Sequence, residues 1–297
     1  MAKQKNTRPD SLPPLSEGGG GGLSFSPPSE GLGEAFRGGS YIETHIEGSV
    51  AQIKLNRPDQ HNALIPELIV ELEQALEEIS KLDELLFVVI SGNGRSFCTG
   101  ADLNWFSGSG ERSPEQNAAQ YKMLADVLLK LFYMPQVTIA VVQGNVFGGG
   151  IGLMAACDFV LAESTTRFMF SEVKLGLLPA TILPFVAKRL SVQNLRKWIL
   201  TGSLFSATEA NETGLVDLLS DDDQLESSLY QLMASFEAAS PSAVKKAKRL
   251  INQVASGDID VNDTTVTSAI LTEALLSPDG QEGINAFLET RKPVWKK

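Results

Sequence analysis

A chain of 297 residues with 43% apolar and 21% charged residues is long enough for one large buried core, or a core plus a helical extension. Its formal charge of −11 argues against a nucleic-acid surface, which needs clustered Lys and Arg, but leaves room for an anionic small ligand met by a local positive patch. Two cysteines and two histidines argue against a disulfide framework or a Cys/His zinc site and for a reducing, cytoplasmic setting, and no apolar run approaches the roughly 20 residues of a membrane span.

Residues 1–39 are rich in Pro, Ser and Gly, with Pro13-Pro14, five glycines at 18–22 and Pro27-Pro28. Such a segment buries too little apolar surface to offset its ordering entropy and is expected to be a disordered tail. Order is expected from near Tyr41. Ile42, Thr44 and Ile46 alternate with Glu43, His45 and Glu47, Gly48-Ser49 supplies a turn, and Ala51, Ile53 and Leu55 alternate again, which predicts a β-hairpin with His45 on its surface. After a loop at 56–64, Pro66 opens a helix whose inner stripe is Leu68, Ile69, Leu72, Ala75, Leu76, Ile79 and Leu82. A continuous apolar run at 85–90 reads as a strand covered on both faces. A second amphipathic helix over 114–133 turns Leu124, Val127, Leu128 and Leu131 inward, and a second buried strand follows at 137–142. Further short strands are expected at 159–162 and 168–170. Strand and helix in alternation mean an α/β fold built by right-handed crossovers.

Beyond Pro179 the chain reads as mostly helical. Ile182, Leu183, Phe185 and Val186 offer apolar faces for contacts between subunits, and Ser206-Ala207-Thr208-Glu209-Ala210 starts a capped helix that ends at Gly214. A helix over 241–254 carries the basic cluster Lys245, Lys246, Lys248 and Arg249, and helices over 262–290 close the chain. The expected divisions are the tail 1–39, an α/β core 40–204 and a helical region 205–297.

Chemistry concentrates at two glycine turns. The strand at 137–142 empties through Gly148-Gly149-Gly150 into a small-residue helix over 151–156, and the strand at 85–90 empties through Gly92, Gly94 and Gly100. A turn of this kind presents backbone N–H groups that have no partner within the helix, with the positive end of the helix dipole beside them. Glycine lets another group come close to that backbone. The turns therefore favour an anion, either a phosphate or an oxyanion that forms during reaction. At the ends of neighbouring strands, two of them could point two N–H groups at one oxygen.

These turns and their surroundings resemble the enoyl-CoA hydratase/isomerase (crotonase) superfamily over about residues 41–297. The resemblance is carried by Asn56-Arg57-Pro58 with Asn62-Ala63-Leu64, by Phe97-Cys98-Thr99-Gly100-Ala101-Asp102-Leu103, and by Gly148-Gly149-Gly150 with Cys157-Asp158. Ser206-Ala207-Thr208-Glu209-Ala210 through Gly214-Leu215-Val216 adds a fourth motif. Within the superfamily, Gly100-Ala101-Asp102-Leu103-Asn104-Trp105 and the run from Ser171-Glu172-Val173-Lys174 to Pro179-Ala180-Thr181-Ile182 look most like bacterial methylglutaconyl-CoA hydratases.

The resemblance implies a spiral core of repeated β-β-α units, with C-terminal helices that serve oligomerisation and cover the site. It implies an acyl-CoA thioester substrate, no separate cofactor because coenzyme A belongs to the substrate, no metal, and a homotrimer or dimer of trimers. Ala101 and Gly149 match the oxyanion-hole amides and Glu172 the acid/base. Thr99, Gly100, Asp102, Leu103, Arg57, Gly148 and Gly152 match positions around the thioester and coenzyme A, and basic residues near 245–249 or 291–297 match where phosphates are met. Gly152 falls where hydratases usually carry a first glutamate. A site with one carboxylate also suits allylic isomerisation, so an enoyl-CoA isomerase is the second reading. A non-catalytic acyl-CoA-binding or scaffolding protein is the third.

Overall fold

The computed structural model describes residues 41–295, and the tail assigned to residues 1–39 lies outside the described residues. Strand β1 (Ile42–Glu47) turns through Gly48 and Ser49 into β2 (Val50–Leu55), with which it pairs antiparallel, and His45 sits on the exposed side. Helix α1 (Pro66–Ser80) crosses to β3 (Phe87–Gly92), and α2 (Pro114–Phe132) crosses to β4 (Val137–Val142). Each helix begins on proline, whose fixed φ and missing N–H suit a first turn, and Ser113 forms a reciprocal capping box with Gln116. Then come β5 (Asn145–Phe147), α3 (Gly149–Ala155), β6 (Phe159–Glu163) and β7 (Arg167–Met169). The remainder is α4 (Leu183–Val186), α5 (Val192–Thr201), β8 (Leu204–Ser206), α6 (Ala207–Glu212), β9 (Leu218–Ser220), α7 (Leu225–Ala234), α8 (Pro241–Ser256), α9 (Thr264–Leu276) and α10 (Pro278–Leu288).

Six strands form the main sheet in the order β1-β2-β3-β4-β6-β9, parallel except for β1, and β5-β7-β8 form a smaller second sheet. The region beyond Pro179 is therefore not only helical. Strand β9 pairs with β6 as the outer strand of the main sheet, so the sheet runs across the boundary expected near residue 205. Strands β8 and β9 have three residues each, too few for alternation to be told from one helical turn.

Alternation along the strands sends side chains to two cores. Val88, Ile90, Ala140 and Val142 face α1, α2 and α3 in the larger one, and Phe87, Val89, Val137, Ile139, Val141 and Leu161 form the smaller one on the opposite face. Leu225, Leu229, Leu232 and Met233 of α7, with Phe236 and Val244, cover that second face. Ile182, Phe185 and Val186 are buried within the chain itself, which corrects their expected place between subunits. Exposed apolar side chains include several on the last two helices, where Leu271, Leu276, Phe287 and Leu288 are each at least 70% exposed. Among the described residues no helix is long and apolar enough to cross a membrane.

Helix α8 is fastened to the sheet by a buried cation. Lys248 Nζ lies 2.6 Å from Asp158 Oδ2 and donates to Gln136 O at 2.7 Å, while the same Asp158 oxygen accepts from the Thr138 N–H and hydroxyl. Removing one partner of a buried pair leaves the other charge without compensation. Lys248→Ala is expected to lower unfolding free energy by about 3 kcal/mol in urea titration, whereas breaking the exposed Lys122–Asp126 pair should cost about 0.5 kcal/mol or less.

Candidate active site

Strands β3 and β4 are parallel neighbours, so both glycine turns leave the same end of the sheet. The chains stay side by side beyond the strands: Cys98 bridges Val146, and the Phe147 N–H donates to Cys98 O at 3.0 Å. Glycine is needed at several positions of these turns, Gly100 and Gly148 among them. At Gly100 (φ +88°) a β-carbon would lie 3.0 Å from Phe147 O and 3.3 Å from Gly149 N, and at Gly148 (φ +44°) it would lie 2.9 Å from Glu172 Oε1.

The turns bring Ala101 and Gly149 together at one cavity of about 860 Å³. Among the described residues, neither the Ala101 nor the Gly149 N–H has an acceptor. Helix α3 has only seven residues, so its dipole is short and the preference for an anion rests on these two amides. Glu172 enters the same cavity from the turn after β7. Its Oε2 is buried without a hydrogen-bond partner, and desolvation raises its pKa above the usual 4.5, partly opposed by its own backbone N–H. Asp102 differs. The Asn104 N–H, and next the Arg57 guanidinium, hold its carboxyl below the ordinary range against the effect of burial.

Of the residues singled out from sequence, Thr99, Gly100, Ala101, Asp102, Leu103, Gly148, Gly149 and Glu172 all line the cavity. Arg57 and Gly152 do not. Arg57 turns inward, with its side chain 13% exposed, and donates to Ala63 O and to Asp102 Oδ2. Gly152 lies beneath Ile182: a β-carbon there would fall 2.2 Å from Ile182 Cγ2. Ile182 is itself a lining residue, so an apolar side chain fills the place where a second carboxylate would stand.

Sequence reasoning missed Ile182, Phe106, Tyr121 and Lys174 as lining residues. Phe106 stacks on Trp105 and Tyr121 packs tilted against both, with ring centroids 5.9–6.4 Å apart. Trp105 was already in the motif, and its neighbour Phe106 was the available signal. The basic cluster of α8 is largely committed to the fold. Lys245 donates to Asp83 O, Lys246 pairs with Glu273 and Lys248 is buried, while Arg291 near the C-terminus is held by Glu282 and Glu289.

Fold and site together define an α/β protein with two acceptor-free backbone amides and one desolvated carboxylate at a single cavity. The chain matches the family described as enoyl-CoA hydratase/isomerase over residues 45–297, and it belongs to that family. It is 30% identical over 265 residues to the enoyl-CoA hydratase AKT6-1 of Alternaria alternata, covering 88% of this chain and 86% of that one. Among solved structures it is similar to an enoyl-CoA hydratase from Shewanella pealeana, with a TM-score of 0.81 and 35% identity, covering 86% of this chain and 96% of that one. It is also similar to Pseudomonas aeruginosa AtuE, with a TM-score of 0.82, 30% identity, and coverage of 86% and 100%.

A raised carboxylate pKa has two readable consequences. As a base, Glu172 loses its charged form when pH falls through the raised value, so the acid limb of kcat/KM should lie above pH 4.5 and vanish in Glu172→Gln with a loss of about 10²–10⁴ in turnover. For stability, a raised pKa favours the fold below 4.5 and penalises it as pH rises through the folded value. Glu172→Gln is therefore expected to melt higher than the parent at pH 8, with the gap closing as pH falls; a gap that widens toward acid would contradict the burial argument.

Proposed function

We propose that the protein hydrates a 2-enoyl-CoA thioester, and that its substrate is a branched or carboxylated one such as 3-methylglutaconyl-CoA. The observation that carries this reading is the pair of amides without acceptors, Ala101 and Gly149, in one cavity with the partnerless buried oxygen of Glu172. The thioester oxygen would accept from both amides. As water attacks Cβ, Glu172 takes its proton, and the electrons of the double bond move toward the thioester to give an enolate held by the two donors. Proton delivery to Cα restores the thioester and the carboxylate. Losing one such donor costs about 10²–10³ in rate. Coenzyme A is part of the substrate, and no further cofactor enters the scheme. The cytoplasmic setting belongs to the same reading and draws on two buried, free thiols.

Ile182 bears on how the water is held. With Gly152 covered, the carboxylate that would share the water is replaced by hydrocarbon. The substrate's own distal carboxylate, or a polar group such as Asn104 at the cavity, would take that part. The same observation favours a second reading, allylic isomerisation, in which Glu172 alone removes a proton and returns it two carbons away.

Substrates in ¹⁸O-labelled water separate the two. An enoyl-CoA with a distal carboxylate is expected to gain label and to turn over much faster than crotonyl-CoA, which fits but supplies no water-holding group. A mass-neutral shift of a 3-enoyl-CoA to its 2-enoyl form as the sole reaction would reject hydration.

We also read the exposed apolar side chains of α9 and α10 as the contact between copies in a trimer or dimer of trimers. Leu271, Leu276, Phe287 and Leu288 are large apolar side chains at least 70% exposed, and such clusters mark surfaces that meet another protein. Sedimentation at micromolar concentration should give a trimer or hexamer, and a monomer would refute it.

A further inference from the structure

The loop that precedes α1 touches both oxyanion donors, and its chemistry points to one residue outside the cavity. In a trans peptide the C=O and the following N–H lie in one plane and point in opposite directions. The Ala101 N–H shares its peptide with Gly100 O, and that oxygen accepts from the Leu64 N–H at 2.7 Å. One residue further on, the Asp102 N–H donates to Leu64 O at 2.9 Å. Leu64 thus holds the Ala101 peptide from behind, fixes its plane and leaves the N–H aimed away from the loop.

The side chain of the same leucine reaches the second donor. A β-carbon on Gly149 would lie 2.9 Å from Leu64 Cδ1, so this methyl group rests against the Gly149 backbone. Leu64 is 1% exposed and cannot swing aside into solvent. One residue therefore sets the orientation of the first donor and the position of the second.

Arg57 holds that residue in place. Its guanidinium donates to Ala63 O, the carbonyl just before Leu64, and to Asp102 Oδ2 at 3.3 Å, just past Ala101. Its own N–H is held by Asn62 Oδ1 at 2.8 Å, and Asn62 Nδ2 in turn donates to Asn93 O and Ser96 O. The planar fork joins the two segments on either side of the Leu64–Ala101 contact, a geometry an ammonium group does not reproduce. We infer that Arg57 is a positioning residue for the oxyanion donors, acting through Leu64 and Asp102, and not a contact to the coenzyme A phosphates. This rests on the oxyanion reading proposed above.

The test reads the carbonyl itself. Crotonyl-CoA labelled with ¹³C at the thioester carbon is bound to a Glu172→Gln background, which suppresses turnover, and the carbonyl shift and stretching frequency are measured with and without Arg57→Ala. With Arg57 intact, the bound carbonyl should be polarised relative to free ester. Arg57→Ala should lose most of that polarisation, Arg57→Lys should recover part of it, and Asp102→Asn should give a smaller loss should Arg57→Ala fail to fold. In the active enzyme, Arg57→Ala should lower kcat by about 10- to 100-fold, the scale of a misplacement of about 1 Å, with KM changed by less than about threefold. Unchanged polarisation in both Arg57→Ala and Asp102→Asn, or a rise in KM alone, overturns the inference and returns Arg57 to nucleotide binding or to stability. A carbonyl that is not polarised even with Arg57 intact overturns the oxyanion reading beneath it.

Discussion

The site depends on a contact between two stretches of bare backbone. Gly100 meets the two peptides on either side of Gly148 so closely that a single β-carbon at Gly100 would press on a carbonyl and an amide at once. Backbone groups do not give way as a flexible side chain does, and interiors this dense have two options, fit or rearrangement. The approach is made possible by β3 and β4 being adjacent and parallel, because parallel neighbours release their chains at the same end. Sheet order, glycine placement and the meeting of two amide donors are thus one arrangement seen at three scales.

The cavity also sorts two carboxylates by environment. Asp102 is bracketed by the Asn104 amide and Arg57 and stays charged to lower pH, while Glu172 is desolvated with one oxygen unmatched and holds its proton to higher pH. Groups of the same chemistry are pushed apart in this way wherever one must stay a fixed charge and the other must exchange a proton. The net charge of the chain says nothing of this difference, which arises within one cavity wall.

Local periodicity made much of the fold legible. The hairpin, the inner stripe of α1 and the doubly buried β4 each follow from spacing that a strand or helix imposes on its own residues. The glycine turns were legible for a similar reason, since a backbone donor needs no side chain to be recognised. What escaped depended on partners remote in sequence. Arg57 reads as a coenzyme A contact until Asp102, 45 residues away, is seen beside it. Gly152 shows that a carboxylate is missing, yet that Ile182 fills the space is a matter of tertiary packing. Lys248 reads as one of a basic cluster placed to meet phosphates; a lysine on a helix is seldom buried, and only its proximity to Asp158 explains the exception. Ile182, Phe185 and Val186 were apolar as expected and were turned inward instead of toward another subunit, since composition does not reveal which surface a helix covers.

The two-sided burial of the main sheet has a consequence for synthesis on the ribosome. The face formed by Phe87, Val89, Val137, Ile139, Val141 and Leu161 is flanked by Val50, Leu86 and Phe159, and the helical side chains that cover it begin at Leu225. The outer strand that completes the sheet begins at Leu218. During elongation, the larger core can close once the chain has reached Val216, while the other face of the sheet is still open to water and to neighbouring chains. Long-range pairing of this kind is slow, and an uncovered apolar sheet face is prone to association in the interval. Release from that hazard waits for α7 and α8, the latter fastened at Asp158 by Lys248, so the last quarter of the polypeptide acts as the closing piece of a core laid down much earlier.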